Sequence, residues 1–295
     1  MLDPVLGSRR EIARHWANEH GYPLSPNDQD DLPHVSQYLS TRYDPAYLLL
    51  EFNKALRLSF IKNYRSVLAN EWHELKVWSP DILYQALSLA VEFLGDEGPL
   101  PVYKHLAELP LPIYVTTNPG EILEDALRQA DKDPQVRLCP WNYELTSNAR
   151  EWWYTETIPT PKKPLIYHLF GHYQVPDSLV LTEDNYLDFL IGLTDNKDII
   201  PHFVRGALSD NVLLFLGFQV EDWNFRVFFR SLMTKQGSKR RIYKNHLAAQ
   251  IEPDENRVGN PQRARRFLER YFKPGNVSIY WGSANEFLAE LANQL

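Results

Sequence analysis

Hydrophobic positions in the first third of the chain recur with the period of an α-helix. Ser8 and Glu11 form a possible capping box, and an apolar helix face begins directly after it. Two further helical patterns follow at residues 45–70 and 81–94, the second starting after a Ser-Pro pair and ending at a glycine. The pattern therefore predicts a mainly helical N-terminal part.

The periodicity changes at the segment GDEGPLP, residues 95–101, where glycine and proline interrupt both periods. This change divides the chain into a helical part or subdomain over residues 1–105 and a second part over residues 106–295. Short apolar runs typical of buried strands alternate with amphipathic helices in the second part. The predicted strands are Ile113–Thr117, Val136–Cys139, Leu165–Phe170, Val212–Gly217, His246–Ile251 and Val277–Trp281.

Strand and helix in alternation predict an α/β fold with a mostly parallel sheet that helices cover on both faces. In such sheets, ligands bind beyond the carboxyl ends of the strands. The rule predicts that the loops Thr116–Gly120, Phe170–His172 and Gly217–Asp222 are neighbours in space. Each of them could equally be a plain turn.

Helix starts in the C-terminal part carry capping signals. Asn260-Pro261 precedes one amphipathic helix, and Ser283 with Glu286 makes another possible capping box. Both signals support the division of this part into alternating elements.

Composition limits the function classes. The chain has 295 residues, 44% of them hydrophobic, and its 31 basic against 38 acidic residues give a net charge of −7. That balance weakens the case for nucleic acid as a direct partner. A single cysteine, Cys139, excludes an internal disulfide framework and a multi-cysteine zinc site, and fits a reducing, cytoplasmic setting. The longest apolar run tested, Val212 to Phe218, is too short to span a membrane.

Histidines lie near one of the predicted strand ends. In PLIYHLFGHYQ, strand alternation puts His168 and Phe170 on one face, with His172 beside them if the strand continues. Histidine in such a position can do acid–base chemistry at neutral pH, and a buried structural histidine is the alternative. Gly217 allows close approach of a ligand to the backbone, and Asp222 can cap the next helix, although both have ordinary structural roles too.

Four stretches taken together, in this order and spacing, resemble the bacterial sirtuin-like (silent-information-regulator-like) domain family. They are IYVTTNPGEILEDAL, YHLFGHYQVPDSLVLTEDNYLDFL, LLFLGFQVEDWNFRVFFRSL and IYWGSANEFLAEL, and the resemblance covers roughly residues 8–295. It implies a Rossmann-like NAD-binding domain with a helical subdomain. In this family such domains often hydrolyse NAD to nicotinamide and ADP-ribose, and many serve in bacterial antiphage systems that deplete NAD.

The resemblance also implies site residues. The family's Thr-Thr-Asn motif falls on Thr116, Thr117 and Asn118, and its asparagine positions water or a ribose hydroxyl. His168 is the first choice for the catalytic histidine and His172 the second. NAD contacts are expected from Thr116, Thr117, Phe170, Gly171, Gly217, Phe218 and Asp222.

Three departures from the family pattern bear on activity. Pro119 and Gly120 follow Asn118, where active members usually have an aromatic residue and an aspartate. Phe170 stands before Gly171, where the family usually has its catalytic histidine, and phenylalanine cannot accept a proton. The family's Gly-Ala-Gly turn, which holds the NAD diphosphate, does not precede the first helix; either the sequence begins late or the protein lacks that turn.

Two functions from different classes remain. The first is an NAD glycohydrolase of an antiphage system; the second is a catalytically inactive nucleotide-binding or assembly module of a defence complex. A zinc-dependent protein deacylase is disfavoured, because one cysteine cannot build the usual four-cysteine module. The expected ligand is NAD or ADP-ribose without a metal, and the expected partner is a second copy or another defence subunit.

Overall fold

The computed structural model describes residues 9–64, 101–142, 145, 158–195, 199–217, 245–249, 260–292 and 294. The contacts of the chain divide it into two compact units, Met1–Phe189 and Leu190–Leu295. The division predicted near residue 105 stays a prediction, because residues 95–100 lie outside the described part. The capping box at Ser8 and the helix at 81–94 lie outside it as well.

Three helices open the first unit: α1 (Arg9–His20), α2 (Leu32–Arg42) and α3 (Pro45–Tyr64). Their apolar faces bury Trp16, Leu39 and Phe52, with the rings of Trp16 and Phe52 6.4 Å apart. The same core includes Tyr173, which lies 5.9 Å from Phe52 and comes from the loop after a strand. The helices are thus packed against the segment that carries the histidines.

The rest of the first unit contains a three-stranded sheet. Helix α4 (Pro101–Glu108) leads into β1 (Ile113–Thr116), helix α5 (Ile122–Gln129) follows, and then come β2 (Gln135–Leu138) and β3 (Leu165–His168). All strands are parallel in the order β1-β3-β2, with Thr116 and Leu138 both in register with His168. Every residue of the central strand β3 is buried, as expected for a strand covered on both faces.

The second unit repeats this architecture with another parallel sheet. Helix α6 (Glu183–Asp195) runs across the boundary between the units, and α7 (His202–Asp210) precedes β4 (Leu214–Leu216). Strands β5 (His246–Ala249) and β6 (Val277–Tyr280) complete the order β4-β5-β6. Helices α8 (Pro261–Phe272) and α9 (Ala284–Ala292) follow β5 and β6.

Local capping explains where two of these helices begin. The Asn260 side chain accepts a hydrogen bond of 2.9 Å from the Arg263 N–H, with Pro261 at the first helical position. Ser283 and Glu286 exchange side-chain and backbone hydrogen bonds of 3.0 and 3.1 Å, which confirms the predicted capping box.

The structure confirms the predicted fold class: it is mixed α/β, with parallel sheets flanked by helices. The bounds of the strands differ from the predicted ones by one or two residues, and the difference that bears on the site is that β3 ends at His168 rather than at Phe170. Gly171, at φ +85°, turns the chain out of the extended conformation. In the part of the chain that the structure describes, no helix is long and apolar enough to cross a membrane.

Candidate functional site

The loop after β1 and the loop after β3 lie side by side, as the sheet rule predicts. The Leu169 N–H donates to the Thr116 carbonyl at 2.8 Å, and the Tyr173 N–H donates to the Pro119 carbonyl at 3.1 Å. Gly217, at φ +66°, belongs to the second unit, and Phe218 and Asp222 lie outside the described residues, so the proximity of the third predicted loop stays a prediction. Their roles in NAD binding stay predictions.

Asn118 is held in a tight turn at the end of β1. Its N–H donates to Thr116 Oγ1 at 2.9 Å, and its side-chain Oδ1 accepts from the Gly120 N–H at 2.9 Å. Its Nδ2 donates to the Tyr103 hydroxyl of α4 at 3.3 Å. Thr116 and Thr117 are both half-buried. Pro119 and Gly120 therefore leave the Asn118 side chain in a defined position, oriented by bonds on both sides of the amide.

The two predicted histidines come together behind this turn. The rings of His168 and His172 lie 4.9 Å apart at 87° to each other, and each side chain is only 1% exposed. His168 Nδ1 lies 2.8 Å from the Asn118 carbonyl oxygen. Although the strand ends before His172, the turn at Gly171 brings that ring back to His168.

A buried carboxylate completes the cluster. Glu124 Oε1 lies 3.3 Å from His172 Nε2 and 3.6 Å from His168 Nε2, and Oε2 pairs with Arg128 at 3.1 Å. Sequence reasoning missed Glu124. The signal was its position on α5, where the helical period puts it on the face that also buries Leu123 and Leu127. A carboxylate on an apolar face needs a partner inside the fold.

Burial and neighbouring charges shift the pKa values of these groups and thereby set their charge at neutral pH. Burial by itself raises the pKa of Glu124, but hydrogen bonding and charge from His168 and His172 outweigh it and lower that pKa to about 2. Burial lowers the pKa of His168, against an upward effect of Glu124. Burial and the charge of Glu124 raise the pKa of Glu121. At neutral pH the cluster thus contains a carboxylate beside a predominantly neutral His168.

Glu124, His168 and His172 also form a donor set of the kind that binds transition metals, with one ligand atom from each within 4.8 Å of the others. However, the Gln174 N–H points at His172 Nδ1 from 3.2 Å, which places the His172 proton on Nε2, the atom that a metal would need. We therefore interpret the three side chains as a buried polar cluster held by charge and proximity rather than by hydrogen bonds of full geometry. The expectation that no metal is needed stays a prediction.

A second group of possible ligands, Glu19, His20 and Glu51, lies among the N-terminal helices. The Lys54 ammonium already pairs with Glu19 at 3.3 Å and with Glu51 at 3.2 Å. A cation of the chain itself is thus already shared by these two carboxylates.

Phe170 has a structural environment. Its ring makes edge contacts with Tyr186 and Phe189, each at 5.2 Å between centroids. Gly171 is required by the turn, since a Cβ there would lie 2.1 Å from the Ser178 carbonyl oxygen. Contacts of Phe170 and Gly171 with NAD stay predictions.

A polar cleft of about 430 Å³ opens beside Glu124. Its walls come from α5, from β2 and from the loop after β3, and Gln174 hydrogen-bonds to Glu121 across it. The residues that line it are Glu121, Glu124, Arg128, Pro134, Gln135, Val136, Arg137 and Gln174. Glu124 is therefore shared between the cleft and the buried histidine cluster.

Comparison with known proteins finds several relatives named NAD(+) hydrolase ThsA. The protein of Cytobacillus dafuensis is 24% identical over 192 residues, which is 60% of this chain and 36% of the relative. That of Enterococcus faecium is 31% identical over 124 residues, 41% of this chain and 22% of the relative. That of Bacillus cereus (strain MSX-D12) is 26% identical over 165 residues, 56% of this chain and 31% of the relative.

The matched segments thus span about a third or less of these relatives' own length. The family comparison is broader with respect to this chain: the model of the SIR2-like domain matches residues 112–273, more than half of it. The match includes the Asn118 turn, both histidines and Glu124. The chain belongs to the SIR2-like domain family.

Proposed function

We propose that the first unit binds NAD at the ends of β1 and β3 and hydrolyses the bond between nicotinamide and ribose. The observation that carries this proposal is the Asn118 turn, which His168 holds through a 2.8 Å contact with the Asn118 carbonyl oxygen. Family membership supports it, and so do the relatives, which are named as NAD(+) hydrolases.

The reaction needs no strong general acid. The C–N bond breaks with its electron pair on nicotinamide, which leaves as a neutral molecule, and the ribose passes through an oxocarbenium-like state. Water then adds to the ribose carbon, and its proton passes to the solvent or to a neighbouring base. Asn118 orients that water or a ribose hydroxyl, since an uncharged amide directs a nucleophile without itself reacting. Thr116 and Thr117 contribute to the same edge.

The buried histidines have two possible roles in this proposal, and experiments can separate them. His168 is predominantly neutral at pH 7 because burial lowers its pKa, and neutrality is the state that a proton acceptor needs. Its Nδ1 is engaged with the Asn118 carbonyl, which supports a role in holding the turn instead. His172, the second choice, lies behind His168 and contacts Glu124.

The test is to incubate the purified chain with NAD, alone and with the products of neighbouring genes, and to measure nicotinamide. Asn118→Asp keeps an oxygen that can accept the Gly120 N–H and removes the amide donor, so we expect hydrolysis to fall at least about 100-fold with the fold retained. Asn27→Ala, at an exposed turn position, is the matched control. Release that persists unchanged in Asn118→Asp would refute the role of Asn118.

The second candidate is a nucleotide-binding or assembly module without catalysis, and Phe170 favours it. The ring occupies the usual place of the catalytic histidine and is packed between Tyr186 and Phe189. On this alternative, NAD or ADP-ribose raises the melting temperature, but no condition releases nicotinamide.

The cellular setting follows from the same proposal. NAD depletion by a cytoplasmic protein would stop phage replication in an infected bacterium, and such an enzyme would act as a homo-oligomer or beside a partner defence subunit. Measuring cellular NAD after infection, in cells with wild-type protein and with Asn118→Asp, tests this setting.

A further inference from the structure

Glu124 is a charged side chain in an apolar environment. It lies in the first turn of α5, where Ile122, Leu123 and Leu127 are the other buried residues, and it is only 4% exposed. Removing a carboxylate from water is costly unless charges and hydrogen bonds inside the protein replace the solvent. Arg128 supplies that replacement at Oε2, whereas Oε1 faces the two imidazoles without a hydrogen bond of full geometry.

One oxygen faces outward and the other inward. Oε2 pairs with Arg128, whose side chain is 53% exposed, at the edge of the polar cleft. Oε1 faces the two histidines, at 3.3 Å from His172 Nε2 and 3.6 Å from His168 Nε2. Helix stability would require only the pairing of Glu124 with Arg128, one turn away. The inward contacts therefore need another explanation.

The positions of the protons follow from the outer partners of the two rings. The Asn118 carbonyl can only accept, so the His168 proton lies on Nδ1 and the Nε2 of the neutral ring is a lone pair. The Gln174 N–H can only donate, so the His172 proton lies on Nε2, which is 3.3 Å from Glu124 Oε1. A second proton on His168 can then be added only at Nε2, directly beside Glu124 Oε1.

We infer that Glu124 is a positioning residue of the site, which acts through His168 on the Asn118 turn. Its carboxylate attracts the Nε2–H of His172, the His172 ring packs edge-on against His168 with centroids 4.9 Å apart, and His168 in that position holds the carbonyl of Asn118. The part of this inference that concerns catalysis rests on the proposed hydrolysis of NAD. The part that concerns proton positions and the turn does not.

The charged and titratable groups around Glu124 are few among the described residues. His168 comes from β3, His172 from the loop after it, and Arg128 and Glu121 from α5 and its N-cap. Of these, the histidines are the groups that Glu124 contacts inside the core. A change of Glu124 charge will therefore be registered first at His168 and His172.

The experiment compares Glu124→Gln with Asp125→Asn. Glutamine keeps the size of the side chain and removes its charge. Asp125 is the neighbouring carboxylate, pairs with Arg128 at 3.0 Å and has no ion pair with either histidine in the described structure, so it is the matched control. Histidine-selective ¹⁵N NMR gives the proton positions and the titration of each ring, and NAD hydrolysis is measured across pH in parallel.

In the wild-type chain we expect His168 protonated on Nδ1 and His172 on Nε2 at pH 7.5. In Glu124→Gln the titration midpoint of His168 moves to lower pH by at least about one unit, because an opposite charge within a few ångströms is lost. The Asn118 and Gly120 amide resonances shift, and kcat falls at least about 10-fold while KM changes little. The acid limb of the pH profile moves with the His168 midpoint. Asp125→Asn leaves all of these unchanged.

Several results would overturn the inference. The inference fails if the neutral His168 of the wild-type chain carries its proton on Nε2. It also fails if the wild-type chain binds a stoichiometric transition metal that the Glu124→Gln chain does not bind. A Glu124→Gln chain with lowered stability but unchanged kcat and pH profile shows a merely structural role. If the wild-type chain cleaves no NAD, the proposed function fails. The titration midpoint of His168 and the amide resonances of Asn118 and Gly120 then still decide whether Glu124 positions the turn.

Discussion

Replacing Gly171 with alanine tests the geometry of the loop that carries the histidines. Gly171 has φ +85°, and a Cβ built there would lie 2.1 Å from the Ser178 carbonyl oxygen and 2.6 Å from Ser178 Oγ. Ser178 is held in place by a hydrogen bond, since its Oγ accepts the His172 N–H at 2.8 Å. An added methyl group must therefore displace the backbone at Ser178, and His172 with it.

The expected cost has two parts. Left-handed backbone costs a residue with a Cβ about 1–2 kcal/mol. Forcing a methyl group into a packed site adds about 1–3 kcal/mol. We therefore expect Gly171→Ala to lower the free energy of unfolding by about 2–5 kcal/mol. Gly21→Ala is the matched control: Gly21 has φ +65°, but no atom of the described structure lies within 4 Å of its added Cβ, so only the conformational part applies.

Equilibrium unfolding in urea, followed by circular dichroism, measures both variants against the wild-type chain. The slope of the transition must stay constant for the comparison to be valid. Because the displacement reaches His172, NAD hydrolysis should also fall in Gly171→Ala and persist in Gly21→Ala. If both variants lose the same stability, the close approach of Gly171 to Ser178 is not what the loop requires, and the reasoning is refuted.

Three further predictions concern individual groups. Acid should destabilise the first unit in two stages, which pH-dependent melting measures. The folded pKa of His168 is below 6.5, so the stability that its neutral form contributes is lost as the pH falls below that value. The stability that the Glu124 carboxylate contributes, about 3 kcal/mol, is lost as the pH falls from about 4.5 to about 2. Cys139 is buried and its thiol pKa is raised to about 12, so Ellman's reagent should react with it in urea and not in the native protein; fast native reaction would contradict this. Tyr103→Phe removes the hydroxyl that accepts from Asn118 and should cost about 1 kcal/mol of stability and lower NAD hydrolysis, whereas unchanged kinetics would separate this bond from the reaction.

Much of the fold could be predicted from the sequence because the signals are local. The apolar runs at Ile113 and Leu165 and the capping residues Asn260 and Ser283 each act within a few positions, and the structure has the corresponding strands and helix starts. The extent of β3 could not be predicted in this way. Alternation favours a strand through Phe170, but the close packing of Gly171 against Ser178, seven residues away, ends it earlier.

The site was predictable only in part, for a similar reason. The Thr-Thr-Asn sequence and the histidines mark the loop ends, and the sheet rule brings those ends together. The partnership of Glu124 with His168 and His172 joins positions more than 40 residues apart, and no local pattern gives it. The direction of each imidazole depends on two backbone groups, the Asn118 carbonyl and the Gln174 N–H, which only the folded loops place.

Position 170, where the family usually has its catalytic histidine, is occupied here by a phenylalanine with a structural role. Phe170 packs on Tyr186 and Phe189, so it stabilises the loop from the apolar side, whereas His168 and His172 hold it from the polar side through Asn118 and Glu124. The chain itself thus holds the Asn118 turn in place, which is the condition under which a single oriented amide can contribute most to the proposed catalysis. If the chain hydrolyses NAD as proposed, the chemistry is concentrated on Asn118, because nicotinamide leaves as a neutral molecule and needs no acid at position 170. We therefore expect the wild-type chain to release nicotinamide with Phe170 in place, and a fall in kcat of at least about 10-fold in Glu124→Gln would indicate that the buried cluster, rather than residue 170, supports the reaction.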